Sequence, residues 1–237
     1  MFEYIDTGEN TGEYNMKFDL ELAEKVKTSG VSYIRVYQWN PYAISLGYNQ
    51  ANDDINEVAC NADGIDVVRR PTGGRAVYHS EELTYSVVMI SEDASVSAGY
   101  KYISETLMKA LADYHPLISQ QISFEKSSPN MAEHYKDPQS FACFSASALN
   151  EIKLNGKKLV GSAQRRFGNI LLQHGSIMLD IKHKEIIKYI NNEKLKDTLK
   201  KVLDAKTISF REILNEPIDV DKLKLCIKNK FLEIPLE

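Results

Sequence analysis

The chain has 237 residues, 43% hydrophobic and 26% charged, with a formal net charge of −4. This balance excludes a disordered or fibrous chain and supports one sizeable core, while the acidic excess argues against binding to a phosphate backbone, so no nucleic-acid partner is expected. No apolar run approaches the roughly 18 residues of a membrane span, and Met1 to Asn15 lacks the basic start and apolar stretch of a signal peptide, so a cytoplasmic protein without a membrane role is expected.

In chain order, the apolar spacing of Phe18, Leu22 and Val26 predicts a first helix, and Val31 to Tyr37 alternates like a strand. Gln38-Trp39-Asn40-Pro41 breaks it. Ile65 to Arg69 reads as a second strand ending in Pro71-Thr72-Gly73-Gly74, and Leu83 to Ile90 as a third. Tyr100, Ile103, Leu107, Leu111 and Tyr114 recur at intervals of three and four, predicting a helix from Ala98 to Tyr114 closed by Pro116. Ala148 to Leu154 and Lys157 to Ala163 flank Asn155-Gly156, the pair that most readily takes the positive φ angles of a two-residue hairpin turn. A further strand runs from Asn169 to Ile181. Beyond Lys182 the text is lysine-rich and helical, with Ser209 and Glu212 spaced as a capping box and a last helix from Asp221 to Leu232. The order predicts an α+β (mixed α/β) fold with largely antiparallel sheets, in a single domain over residues 1–237 whose C-terminal portion, 183–237, is helical.

Three cysteines, Cys60, Cys143 and Cys226, are too far apart for a zinc knuckle and odd in number, so at least one thiol is free and no metal site is expected. Cys226 falls in the stripe Leu223, Ile227, Phe231 and reads as the flank of a packed helix; Cys60 lies in a polar segment and is assigned no chemical task. Cys143 sits among small and hydroxyl-bearing residues, Phe141 to Ser147, where a nearby cation could stabilise a thiolate; the alternative is a buried apolar thiol. Arg69, Arg70 and Arg75 surround Gly73-Gly74 at a strand end. They could hold an anionic substrate, such as a nucleotide or a phosphopantetheine-bearing thioester, or could decorate a solvated hairpin. In a two-residue hairpin Lys158 lies opposite Lys153, so spacing alone does not bring it to Cys143. Gln173-His174-Gly175-Ser176 interrupts an apolar strand, which fits either a substrate-side role or a bulge.

Taken together, Tyr37-Gln38-Trp39-Asn40-Pro41, Ser45-Leu46-Gly47-Tyr48, Arg69 to His79, Gly156 to Gln164 and His174-Gly175-Ser176 resemble the biotin/lipoate protein ligase superfamily in its lipoate-attachment branch. Cys143-Phe144 followed by the hairpin resembles a cysteine-dependent octanoyltransferase subgroup. The resemblance implies that Cys143 is a catalytic nucleophile and that Lys158 meets the acyl carbonyl. It places substrate contacts on Arg69, Arg70, Thr72, Gly73, Gly74, Arg75 and His79 in the first motif, on Gly161, Ser162 and Ala163 in the second, and on His174 and Gly175 in the third. It further implies octanoyl-acyl carrier protein as donor and a lipoyl-carrier protein as acceptor, such as the glycine cleavage H protein or a 2-oxoacid dehydrogenase lipoyl domain, with no cofactor. The alternatives are an ATP-dependent lipoate ligase lacking its accessory domain, an octanoyl amidotransferase acting between two carrier proteins, and a non-catalytic carrier-binding protein.

Overall fold

A computed structural model describes residues 2–91, 96–125 and 150–233. Strand β1 (Phe2–Asn10) leads through helix α1 (Gly12–Ser29) to β2 (Ser32–Trp39) and β3 (Ala43–Leu46). Next come α2 (Glu57–Ala62), β4 (Asp66–Arg69), β5 (Val77–His79), β6 (Glu82–Ile90), α3 (Val96–Tyr114), α4 (Pro116–Gln121) and β7 (Ile122–Phe124). After residue 150 the chain forms β8 (Ile152–Leu154), β9 (Lys157–Lys158), β10 (Val160–Phe167) and β11 (Ile170–Met178). A 3-10 segment (Ile181–Tyr189), α5 (Glu193–Lys206), a 3-10 turn (Phe210–Glu212) and α6 (Val220–Leu232) complete it.

Among the described residues, five strands pair in the order β1-β2-β6-β11-β10; β1 runs parallel to β2 and the other pairs are antiparallel. A smaller sheet has the order β4-β3-β5, and a third β7-β8-β9. Alternation gives the large sheet two faces. On one, Ile34, Val36, Leu83, Val87 and Leu171 pack with Ile103, Leu107 and Leu111 of α3 and Phe231 of α6. On the other, Tyr33, Val88 and Leu172 meet Leu22 and Val26 of α1. The second face then turns polar: Arg35, Ser86, His174 and Ala163 stand in one cross-strand row, and Tyr37, Thr84, Ser176 and Gly161 in the next.

The mixed α/β reading holds, and so do the helices at 96–114 and 220–232. The Asn155-Gly156 turn forms with φ of 49° and 74°, and Lys153 pairs with Lys158 as expected. The strand expected from Lys157 to Ala163 is, however, two strands. Lys158 bridges to Thr207 while Val160 has already joined Ile177 of the large sheet, so the chain changes sheets at the buried Leu159. The polar segment around Cys60 also differs from its reading. Asn56 caps α2, and Cys60 is buried in the core of the smaller sheet with Ile44, Ile55 and Ile65, where burial, then Glu57, push its thiol up to about 11.

Candidate functional site

The arginine–glycine segment is a tightly tied turn between β4 and β5. Buried Arg70 donates from Nη1 to Ser45 O (2.8 Å) and Oγ (3.1 Å), from Nη2 to Gly73 O (2.9 Å) and Arg75 O (2.6 Å), and from Nε to Gly73 O (3.2 Å). Arg69 Nη1 donates to Gly47 O (2.7 Å) and Gln50 O (2.6 Å), and Arg165 Nη1 to Pro71 O (2.9 Å). These guanidinium donors shape the loop from within. A Cβ on Gly47 would lie 2.0 Å from Gly74 O, so glycine is required where the end of β3 passes the turn.

Beneath the turn, between the polar face of the large sheet and the smaller sheet, lies a narrow pocket with about 20 Å³ of free space, room for about one water-sized group. Met16 of α1, Tyr37 and Trp39 of β2, Val77 and Ala163 supply apolar wall; Ser45, Arg70, His79, Thr84, Ser162, His174 and Ser176 supply polar atoms, with Gly161 and Gly175 between. Much of this polar lining is already paired. His79 Nε2 meets Ser45 Oγ at 2.7 Å and Nδ1 meets Glu82 Oε1 at 2.8 Å. Thr84 and Ser176 donate to the same Glu82 oxygen (2.7 and 2.8 Å), and Trp39 Nε1 donates to Thr84 Oγ1 at 2.8 Å while its ring stacks on His79 with centroids 3.9 Å apart. Burial pushes the His79 pKa down against the partial pull of Glu82, which favours a neutral ring. Polar groups whose bonds are satisfied by one another leave a cavity that receives hydrocarbon more readily than charge.

His174 closes a second chain, with Nε2 2.7 Å from Thr72 Oγ1 and Nδ1 2.9 Å from Asp19 Oδ2. Asp19 also accepts from Arg35 Nη1 at 2.8 Å and from the Tyr37 hydroxyl at 3.2 Å. Burial alone would raise the Asp19 carboxyl, but the His174 hydrogen bond and charge, with Arg35, hold it below the usual carboxylate value. Asp19 and Arg35 were not singled out in the sequence. The available signal was Asn15 and Asp19, four apart on the same helical face as Leu22 and Val26, with Arg35 inside an apolar strand.

Lys158 does not line the pocket. Its ammonium lies 2.7 Å from Glu151 Oε1, both side chains almost fully buried at 1% and 4% exposure, and the chain reaches the pocket wall three residues later at Gly161. Cys143 lies outside the described residues. The structure thus brings Arg70, His79, Gly161, Ser162, Ala163, His174 and Gly175 around one cavity, with Thr72, Gly73, Gly74 and Arg75 in the turn above it and Arg69 at its foot.

The model of the lipoyl protein ligase A/B catalytic domain family matches residues 11–232. The chain belongs to that family. Among curated relatives of this lipoyl protein ligase A/B family member, the octanoyltransferase LipM of Clostridioides difficile (strain 630) is 37% identical over 231 residues, covering 94% of this chain and 82% of that protein. LipM of Bacillus subtilis (strain 168) is 31% identical over 247 residues, covering 100% and 88%. The fold is that of lipoate protein ligases: the bipartite enzyme of Thermoplasma acidophilum superposes with a TM-score of 0.72 at 19% identity, over 98% of this chain and 83% of that one. LipL1 of P. falciparum, solved in complex with lipoate, gives 0.69 at 18%, over 98% and 62%.

Proposed function

We propose that this family member is an octanoyltransferase that moves an octanoyl group from acyl carrier protein to a lysine of a lipoyl carrier protein through a thioester on Cys143. The reading is carried by the nearly full-length likeness to octanoyltransferases LipM; the partly apolar wall under the arginine–glycine turn would have to part to admit the acyl chain. Full burial of the six methylenes and the methyl would gain about 6 kcal/mol at ~0.8 kcal/mol per carbon, which offsets the cost of opening the wall. The Cys143 sulfur attacks the donor carbonyl, the bond to the carrier sulfur breaks, and the carrier thiolate leaves and takes up the proton given up by the cysteine. The acceptor amine then attacks the same carbonyl, its bond to carbon replaces the bond to sulfur, and Cys143 leaves as a thiolate that takes up the proton lost by the amine. The thioester already stores the activation, so ATP is not consumed. In the structure Lys158 is paired with Glu151 and stands outside the cavity wall, so for its ammonium to meet the thiolate or the developing oxyanion that ion pair has to open.

The test is intact-protein mass spectrometry after mixing with octanoyl-acyl carrier protein without ATP. A hydroxylamine-labile octanoyl adduct is expected on the native chain and absent from Cys143→Ala. An adduct that persists in Cys143→Ala, or transfer that requires ATP, would overturn the scheme.

A further inference from the structure

Asp19 does not line the cavity, yet it holds two side chains that do, His174 through Nδ1 and Tyr37 through its hydroxyl. An ionised carboxylate offers only lone pairs, so the His174 proton facing it resides on Nδ1. The His174 Nε2 then faces Thr72 Oγ1 at 2.7 Å, so the ring bridges the carboxylate and the hydroxyl. Thr72 belongs to the turn that roofs the cavity, far from Asp19 in sequence. The carboxylate is itself fixed. Arg35 gives Nη1 to Asp19 and to Asn15 O (3.0 Å), Nη2 to Asn15 Oδ1 (2.6 Å) and Thr7 Oγ1 (2.9 Å), and Nε to Thr7 (3.0 Å), while its guanidinium lies 3.8 Å from the Tyr37 ring centroid. A buried ion pair adds little stability relative to apolar residues of similar volume, so the stronger reason to keep one here is the geometry it imposes.

We propose that Asp19 is a positioning residue for acyl binding: it draws the Nδ1 proton of His174 towards itself and so aims Nε2 at Thr72, which keeps the arginine–glycine turn seated on the cavity. Arg35 is the counter-charge that keeps Asp19 in place. The kinetic consequence rests on the octanoyl-transfer reading; the place of the Nδ1 proton does not.

Two measurements test it. Two-bond ¹⁵N–¹H correlation spectra of the native chain near neutral pH should show His174 protonated on Nδ1, with His174→Gln used for assignment. A ring protonated on Nε2 alone overturns the proposal. Steady-state kinetics with octanoyl-acyl carrier protein supply the second. Asp19→Asn and Thr72→Val, checked for folding by circular dichroism, should each raise KM about tenfold with kcat within about a factor of two, the signature of lost binding that is uniform through the reaction. The double variant should again show about tenfold rather than hundredfold, because both act on one chain of bonds. Additive effects, or an unchanged KM in Thr72→Val, refute the inference. A native chain that transfers no octanoyl group would sink the function proposed above and leave the spectrum to decide this inference alone.

Discussion

At position 19 a carboxylate is enclosed with a guanidinium, both side chains fully buried, and each is tolerable there because of the other. Asp19→Ala should therefore cost about 3–5 kcal/mol, the penalty for leaving a buried charge without its partner, read as a lower urea midpoint. His183 supplies a pH effect of known sign. Burial holds its pKa down to about 4 from an ordinary 6.5, opposed in part by the Asp180 carbonyl. Between those values the unfolded chain binds a proton that the folded chain refuses, so stability falls as pH drops from about 6.5 towards 4, by about 3 kcal/mol from this group. His183→Gln should flatten that part of the stability–pH curve in denaturant titrations. At this scale the motif histidines were legible, because His79 and His174 stand in recognisable text. The environment of Arg70 was not. Nothing in the letters Arg69-Arg70-Pro71 separates a guanidinium aimed at solvent from one that donates to Ser45, Gly73 and Arg75; that depends on β3 lying beside it.

Elements with a clear local pattern were read correctly, the strands β2, β6 and β11 included; boundaries and strands decided by distant partners were not. The Asn155-Gly156 turn and the helix Val96–Tyr114 follow from backbone preference and apolar period. The break at Leu159 depends on Thr207, which claims Lys158, and on Ile177, which claims Val160. β1 escaped notice for the same reason: Thr7-Gly8-Glu9-Asn10 is turn text that becomes strand because β2 lies alongside in parallel. The crossing of β3 under the arginine–glycine turn gives an element-level test. Gly47→Ala places a methyl 2.0 Å from a backbone oxygen that no side-chain rotation can clear. The turn should be displaced, with octanoyl transfer reduced at least about tenfold and stability lowered by about 1–3 kcal/mol, as overpacking usually costs. Activity assays and thermal melts on the same variant check both.

Across the whole molecule, the large sheet is covered by α3 and α6 on one face and by α1 with the smaller sheet on the other, and the cavity lies where α1, the large sheet and the smaller sheet meet. We propose that the chain folds as one unit. Cys60 lies in the core of the smaller sheet, so its thiol reports opening there, while far-ultraviolet circular dichroism reports the helices. In a Cys143→Ala, Cys226→Ser variant, thiol labelling and ellipticity should follow a single urea transition; separated midpoints would show two units. The layered mixed fold was legible in the order of elements. The meeting of its layers was not, since the rows that carry Arg35, His174 and Ala163 are set by register across strands far apart in sequence.

The chain contains one tryptophan, and Trp39 stands in the cavity wall with its indole flat against His79. The protein therefore carries a built-in optical reporter at the place where an acyl tail is expected to rest. Entry of the tail changes the polarity felt by that indole, so its emission should shift as the cavity fills, and binding and release can be timed without a dye.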